Sequence, residues 1–203
     1  MSGGYDDGYR SCSCFWGTQP GSLLPMLLKH LGDPRGRAVL DAGCGEGKNA
    51  TFLAAQGAVV RALDMSAIAL LHAAAHWPHL PVQWEVADIR EAQLPIAEYD
   101  AVIAYGLFHC LRSPEEVRVV AGHLLTATRP GGFAVVCAFN DRRQQLHAHP
   151  GFSPVLLPHA AYLSLYGGCK LLYATDEDLH ETHPHNQIPH THSMTRILAQ
   201  KEK

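Results

Sequence analysis

Apolar positions recur along this chain in two periods, and the places where the period changes mark its elements. Over residues 23–31 the leucines 24, 27, 28 and 31 stand at i, i+3, i+4 and i+7, which predicts a helix with Ser22 as its cap and Gly32 as its stop. Ala38-Val39-Leu40-Asp41 then reads as a short buried strand running into a glycine-rich turn. A helix is expected from about residue 48 to 56, ended by Gly57, and a second strand over residues 58–63, stopped by Asp64. Ser66 can cap a further helix reaching about His76, with Ile68, Leu71 and Ala75 toward the core. Residues 82–86 and 100–105 read as the third and fourth strands. Ser113-Pro114-Glu115-Glu116 has serine at the N-cap, proline at the first helical position and glutamate at the third, the pattern of a capping box. Residues 129–132 read as a turn and residues 133–139 as a fifth strand.

Strands alternating with helices argue for a Rossmann-like, doubly wound α/β fold with a mostly parallel sheet. The alternation stops at Asn140. Residues 141–160 hold three prolines and several histidines and read as a loop or lid around a short helix. Residues 171–175 and 191–199 fit an antiparallel pair at the sheet edge. No repeat or low-complexity linker divides the chain, so residues 1–203 are expected to form one domain. Residues 1–20 carry Tyr5, Tyr9, Phe15 and Trp16 and read either as an N-terminal lid or as a tail.

Composition narrows the partners. The 203 residues are 47% hydrophobic and 17% charged, with a net charge of -3, so nothing basic points to nucleic acid and a small-molecule substrate is expected. No stretch approaches the roughly 18 apolar residues of a membrane span, and residues 1–10 do not resemble a secretory signal, so the expected location is cytoplasmic. Six cysteines without CxxC pairs are expected to be free thiols. Cys12 and Cys14, beside Phe15-Trp16, read either as a soft-metalloid ligand pair or as small packed thiols.

A strand ending in an acid, then Gly43, Gly45 and Gly47, then a helix, brings backbone close to a polar ligand. Glycine removes the Cβ that blocks approach, and the helix start offers N–H groups. Acids follow at two more strand ends: Asp64, placed to accept ribose hydroxyls, and Asp88 with Ile89, placed for an adenine amino group. The dinucleotide fingerprint Gly-x-Gly-x-x-Gly aims a helix at pyrophosphate. Asp41 ahead of the turn suits a cationic, amino-acid-bearing ligand better, and argues against a nicotinamide oxidoreductase.

Residues Val39 to Gly47 (VLDAGCGEG) resemble motif I of class I S-adenosylmethionine-dependent methyltransferases. Asp64, Asp88, residues 99–111 and Arg129-Pro130-Gly131-Gly132 resemble the later motifs of that superfamily. The resemblance runs from about residue 20 to the end of the chain. Within it the chain is most similar to the tellurite-resistance (TehB-like) methyltransferases, through Gly47-Lys48-Asn49, the proline-rich stretch after the fifth strand and Leu179-His180. The resemblance implies a seven-stranded sheet with an antiparallel terminal hairpin and S-adenosyl-L-methionine bound by Asp41, Gly43, Gly45, Gly47, Asn49, Asp64, Met65, Asp88, Ile89 and Tyr105. It further implies methyl transfer to a small soft nucleophile, a thiol or a chalcogen or metalloid compound. His180 matches the histidine associated with the family's reaction, but Glu181 follows where the family has a basic residue, which argues against an oxyanion such as tellurite.

Methyl transfer needs alignment and exclusion of water, with a base only where the nucleophile must lose a proton. His180 is the candidate for that base. Tyr105 and His109, after the fourth strand, are expected to face the methyl group, since ligands sit at the carboxyl ends of parallel strands; for His109 packing is an equal alternative. Histidine is the unusual residue of this composition: 14 in all, five of them from His180 to His192. On a hairpin, His183 and His185 share one strand face, and so do His190 and His192, so the four fit a divalent transition-metal site, a substrate contact or a polar surface turn. His72 and His76, one helical turn apart, read as structural. The alternatives to soft-nucleophile transfer are O- or N-methylation of a small metabolite beside a histidine-bound metal, and a module that sequesters metal or metalloid on the same fold.

Overall fold

The computed structural model describes residues 5–183 and 187–202. Seven strands form one sheet: β1 (Ala38–Ala42), β2 (Val59–Asp64), β3 (Val82–Val86), β4 (Tyr99–Tyr105), β5 (Thr128–Gln144), β6 (Cys169–Glu181) and β7 (His190–Lys201). Their order is β3-β2-β1-β4-β5-β7-β6. The first five run parallel, and β7 pairs antiparallel with both β5 and β6. This is the doubly wound, mostly parallel sheet that the sequence pattern implies, with the seven strands and antiparallel terminal hairpin that the resemblance implies.

The helices are α1 (Asp6–Ser11), α2 (Leu24–Leu31), α3 (Lys48–Ala55), α4 (Ala67–His76), α5 (Pro114–Ala127) and α6 (His159–Ser164). Each inner strand is buried on both sides, and the period of two sends neighbours to opposite layers. Leu40, Val102, Val136 and Ile197 pack against the Val117, Val120, Ala121 and Leu124 stripe of α5 and against Tyr162. Val39, Val60, Ile103 and Val135 pack on the other face against Leu24, Leu27 and Leu31 of α2 and Leu53 of α3.

Local signals set several ends. Ser66 and Ser113 cap α4 and α5, accepting the N–H of Ala69 (3.2 Å) and Glu116 (3.1 Å). The second half of the capping box is displaced by one residue, because Glu116 accepts the N–H of Arg112 at 2.9 Å. Four expectations are corrected. Ser22 does not cap α2, whose N-cap is Leu23 and carries no side-chain bond. The buried face of α4 is Ala69, Leu70 and Ala73, while Leu71 is 68% exposed and Ala75 is also exposed. The expected turn at residues 129–132 is an irregularity inside β5, where the register with β4 shifts between Tyr99 and Ala101. There Asp100, buried at the sheet's lower end, accepts the N–H of Ala38 (2.8 Å) and pairs with Arg37 (3.0 Å) and Arg129. The terminal hairpin is longer than its apolar runs, since β6 and β7 continue through polar residues to Glu181 and His190.

Candidate active site

At the carboxyl ends of β1 and β2 the chain turns through Gly43, Gly45 and Gly47, with φ of 69°, 54° and 79°. The N–H groups of Gly43 and Cys44 both donate to the Leu63 carbonyl, at 2.8 and 3.0 Å, which pins the turn to β2. Asp64 continues that strand and accepts the N–H of Gly45 on Oδ2 and of Ser66 on Oδ1, each at 2.8 Å. Its burial pushes the carboxyl up from the ordinary range. A cavity of about 700 Å³ opens over this turn. Gly43, Gly45, Asn49, Asp64, Met65, Asp88, Ile89 and Tyr105 all line it.

Two residues expected at the ligand stand elsewhere. Asp41 is 1% exposed beneath the turn, takes a bond from the Ala50 backbone and does not line the cavity. Burial, with the nearby Asp64 charge, pushes it up to about 7. Its Oδ2 has no partner among the described residues. Gly47 does not line the cavity either. A Cβ there would lie 2.3 Å from the Trp84 ring, so this glycine serves helix–strand packing. Asp88 lines the cavity but already forms an ion pair with Arg90, which holds it below the usual carboxylate range.

Residues 5–20 cover the cavity, and Tyr5, Asp6, Tyr9 and Trp16 line it. Glu46, inside the glycine turn, holds this segment by accepting the N–H of Cys14 (2.8 Å) and Phe15 (2.6 Å). The same carboxylate meets His72 Nδ1 at 3.0 Å, so His72 does have an acidic partner, one that helical spacing on α4 cannot show. Lys48 donates to the Trp16 carbonyl (2.9 Å) and Ser66 to Asp6 (2.6 Å). Asn49 accepts the N–H of Gly21 at 2.8 Å, so its amide anchors this cover as well as facing the cavity. Glu46→Ala is expected to release the cover. Affinity for S-adenosylhomocysteine by calorimetry should fall about tenfold, with faster proteolytic cleavage near residue 15, given about 1.5 kcal/mol for a charged hydrogen bond. Unchanged affinity and cleavage would show that the clasp does not hold it.

The far end of the cavity lies under β4, β5 and the hairpin. Tyr105, His109, Cys110, Cys137, Glu181 and Arg196 face it. His109 is buried, and desolvation pushes it down to about 3. Its Nδ1 accepts the N–H of Phe139 at 3.1 Å, which leaves the proton on Nε2. It therefore lines the cavity as a fixed hydrogen-bond donor and also packs, stacked on Phe139. Burial also pushes Tyr105 and Cys110 up to about 12 and Cys137 to about 11.

His180 is corrected as well. It is exposed, bonds Thr191 Oγ1 at 2.9 Å and lies outside the cavity. Leu179 and Glu181, one residue to each side, line the cavity instead, as strand alternation requires. The parity of the hairpin carried that signal, but nothing in the residue types alone said which face was inward. Arg196 was missed too. Its Nη1 lies 3.5 Å from Glu177, and its buried Nε has no partner among the described residues.

Of the expected metal ligands, His183, His190 and His192 are buried and close together, and His185 lies outside the described residues. Their fourth neighbour is His149, from the loop after β5, whose Nε2 is 3.2, 3.1 and 3.2 Å from those of His183, His190 and His192.

Comparison with known proteins agrees with this geometry. Residues 39–132 match the family model described as a methyltransferase domain. An uncharacterised methyltransferase of Mycobacterium tuberculosis is 36% identical over 103 residues, 51% of each chain. A ubiquinone biosynthesis O-methyltransferase of Acinetobacter baylyi is 32% identical over 122 residues, 58% of this chain and 50% of that one. The chain thus spans about half the length of the curated relatives it matches. Among solved structures, one from work on the conversion of a disulfide bond into a thioacetal group during echinomycin biosynthesis superposes with a TM-score of 0.77. It shows 24% identity and covers 100% of this chain and 93% of its own. TehB from Haemophilus influenzae gives 0.73 at 19% identity, covering 90% and 62%. Residues 39–132 thus resemble a methyltransferase domain, and the similar solved structures share the fold of this chain.

Proposed function

We propose that the chain transfers the methyl group of S-adenosyl-L-methionine to a small soft nucleophile, a thiol or chalcogen compound, held at the far end of the cavity. The residues fit the cofactor. Gly43 and Gly45 line the cavity, and Asp64 keeps lone pairs for ribose hydroxyls beside its bonds to the N–H groups of Gly45 and Ser66. Ile89 and Asp88 offer an apolar wall and an acceptor beside it. When bound, the cofactor supplies a methyl group already activated on a sulfonium. The chain's own work is to align the acceptor and keep water out, which the cover of residues 5–20 does.

The observation that carries the acceptor class is the chemistry of the far end. Tyr105, Cys110 and Cys137 are held in their protonated forms, and His109 is locked as a donor. These groups orient an acceptor without deprotonating it, so they suit one that attacks as a thiolate or its heavier analogue. Sulfur chemistry is also the subject of the work on the similar echinomycin-related structure. Arg196 supplies a cation for an anionic group on the acceptor.

Incubation with methyl-labelled cofactor and a panel of thiols, selenite, tellurite, phenols and amines tests this. Label is expected on a thiol or chalcogen compound. Label only on a phenol or amine would establish O- or N-methylation instead, and cofactor binding with no transfer would favour a sequestering module. With a carboxylate-bearing thiol, Arg196→Met should raise KM about tenfold and change kcat by less than about threefold, the pattern of lost ground-state binding. An unchanged KM would remove Arg196 from acceptor recognition.

A further inference from the structure

Beside the acceptor end, but outside the cavity lining, four buried imidazoles converge. His149 comes from the loop after β5, His183 follows β6, and His190 and His192 open β7. Their exposures are 8%, 2%, 3% and 0%. The ligand atoms of His149, His190 and His192 all lie within 4.8 Å of one another, as do those of Glu181, His183 and His190.

The outer hydrogen bonds of two of these rings set where their other nitrogens point. His190 Nδ1 lies 2.7 Å from the carbonyl of Ile188, which can only accept, so that nitrogen carries the proton and Nε2 is a bare lone pair. His192 Nδ1 lies 2.7 Å from Gln144 Oε1. The Gln144 amide nitrogen donates to the carbonyls of Asn140 (2.7 Å) and Ser193 (2.9 Å), which fixes its oxygen toward the histidine. His192 Nε2 is therefore a lone pair too. Both point at His149 Nε2, which His183 Nε2 also approaches. The Nε2 atoms of His190 and His192 thus converge on one nitrogen in a buried site, an arrangement that a cation between the rings would stabilise.

We propose that Nε2 of His149, His183, His190 and His192 together bind one divalent transition-metal ion. Tetrahedral zinc with bonds of about 2.0–2.1 Å would set its nitrogens about 3.3–3.4 Å apart, and the three contacts of His149 are within a few tenths of an ångström of that spacing. Imidazole suits zinc, copper, iron and nickel, and a four-imidazole set without thiolates favours zinc when copper is scarce. The Ile188 carbonyl and Gln144 amide are the outer partners that fix ligand tautomers at metal sites. Glu181 Oε1 lies 3.7 and 3.9 Å from Nε2 of His190 and His192, and its carboxylate also lines the cavity.

Four protein ligands close the coordination sphere, so the ion's role is to position. It ties the loop after β5, which carries Phe152, to both sides of the β6–β7 connection. The His183 ring also lies 5.5 and 5.0 Å from Phe15 and Trp16 of the N-terminal cover. The site thus joins three segments that roof the acceptor end. It stands on the histidine geometry alone and does not depend on which group the enzyme methylates.

The test is metal binding by the full chain, purified without a histidine tag and without cofactor or acceptor. After loading with zinc and gel filtration, elemental analysis should find about one zinc per chain. Cobalt(II) should give the intense visible bands of a tetrahedral site. Saturating zinc should raise Tm by about 5 °C or more. His149→Ala lies on a loop and leaves every strand residue in place. It should weaken zinc binding at least about a hundredfold in chelator competition and abolish both the cobalt bands and the Tm shift. His180→Ala, on the outer face of the same hairpin, should bind as the unaltered chain does. Less than about 0.1 zinc per loaded chain, or His149→Ala with unaltered affinity and spectrum, would overturn the proposal. Calorimetry with S-adenosylhomocysteine on the same samples reads the cofactor site separately, so failure of one reading leaves the other standing.

Discussion

Asp64→Ala is expected to weaken binding of S-adenosylhomocysteine about a hundredfold, since a half-buried carboxylate making two charged hydrogen bonds contributes about 3 kcal/mol. The carboxylate has two tasks. It holds the glycine turn through the N–H of Gly45, and in the proposed complex it accepts the ribose hydroxyls. Alanine removes both. Asp64→Asn keeps a carbonyl for Gly45 but loses the charge, and its affinity should fall about tenfold. Calorimetry gives the affinities, and circular dichroism verifies that both variants keep the sheet. Asp64→Ala binding within about threefold of the unaltered chain would sink the assignment of Asp64 to the cofactor.

Gly47→Ala should lose about 2–4 kcal/mol of stability, or a Tm lowered by roughly 4–16 °C, although this glycine does not line the cavity. Its φ of 79° costs an alanine about 1 kcal/mol, and the new Cβ would lie 2.3 Å from Trp84 Cη2. Trp84 is half-buried on β3, and its ring has to swing away from α4, where Ala73 closes the other side. The two contributions separate in a double-mutant cycle. In a Trp84→Ala background the clash is gone and only the backbone strain remains, so Gly47→Ala should cost about 1 kcal/mol there. Equal costs in both backgrounds would show that packing against Trp84 is not the reason for glycine at this position.

These two positions separate the motif from its uses. VLDAGCGEG reads as one ligand-binding unit, yet its residues divide the work. Gly43 and Gly45 line the cavity, and Gly47 admits Trp84. Asp41 shapes the turn from below, and Glu46 clasps the N-terminal cover. Each partner that decides such a role lies 20 or more residues away or in another element. A spacing rule expresses the local demand for positive φ and does not say which neighbour imposes it.

Helix α5 and strands β1, β2 and β4 were legible because their signals are local: capping serines, a 3.6-residue stripe, and continuous apolar runs that only a strand buried on both faces can use. The long polar ends of β6 and β7 were not legible, since pairing there is maintained by the neighbouring strand and not by apolar burial.

By itself, then, the sequence determined the strand–helix alternation, the sheet class and the acids at three strand ends, because period, capping and turn chemistry act over a few residues. The tertiary structure decided which histidines matter. Alternation along β6 turns His180 out and Glu181 in, His109 is fixed as a donor by a strand 30 residues on, and His149 joins a cluster more than 30 residues away. Contacts between distant segments depend on register and packing, which no local pattern of residue types records.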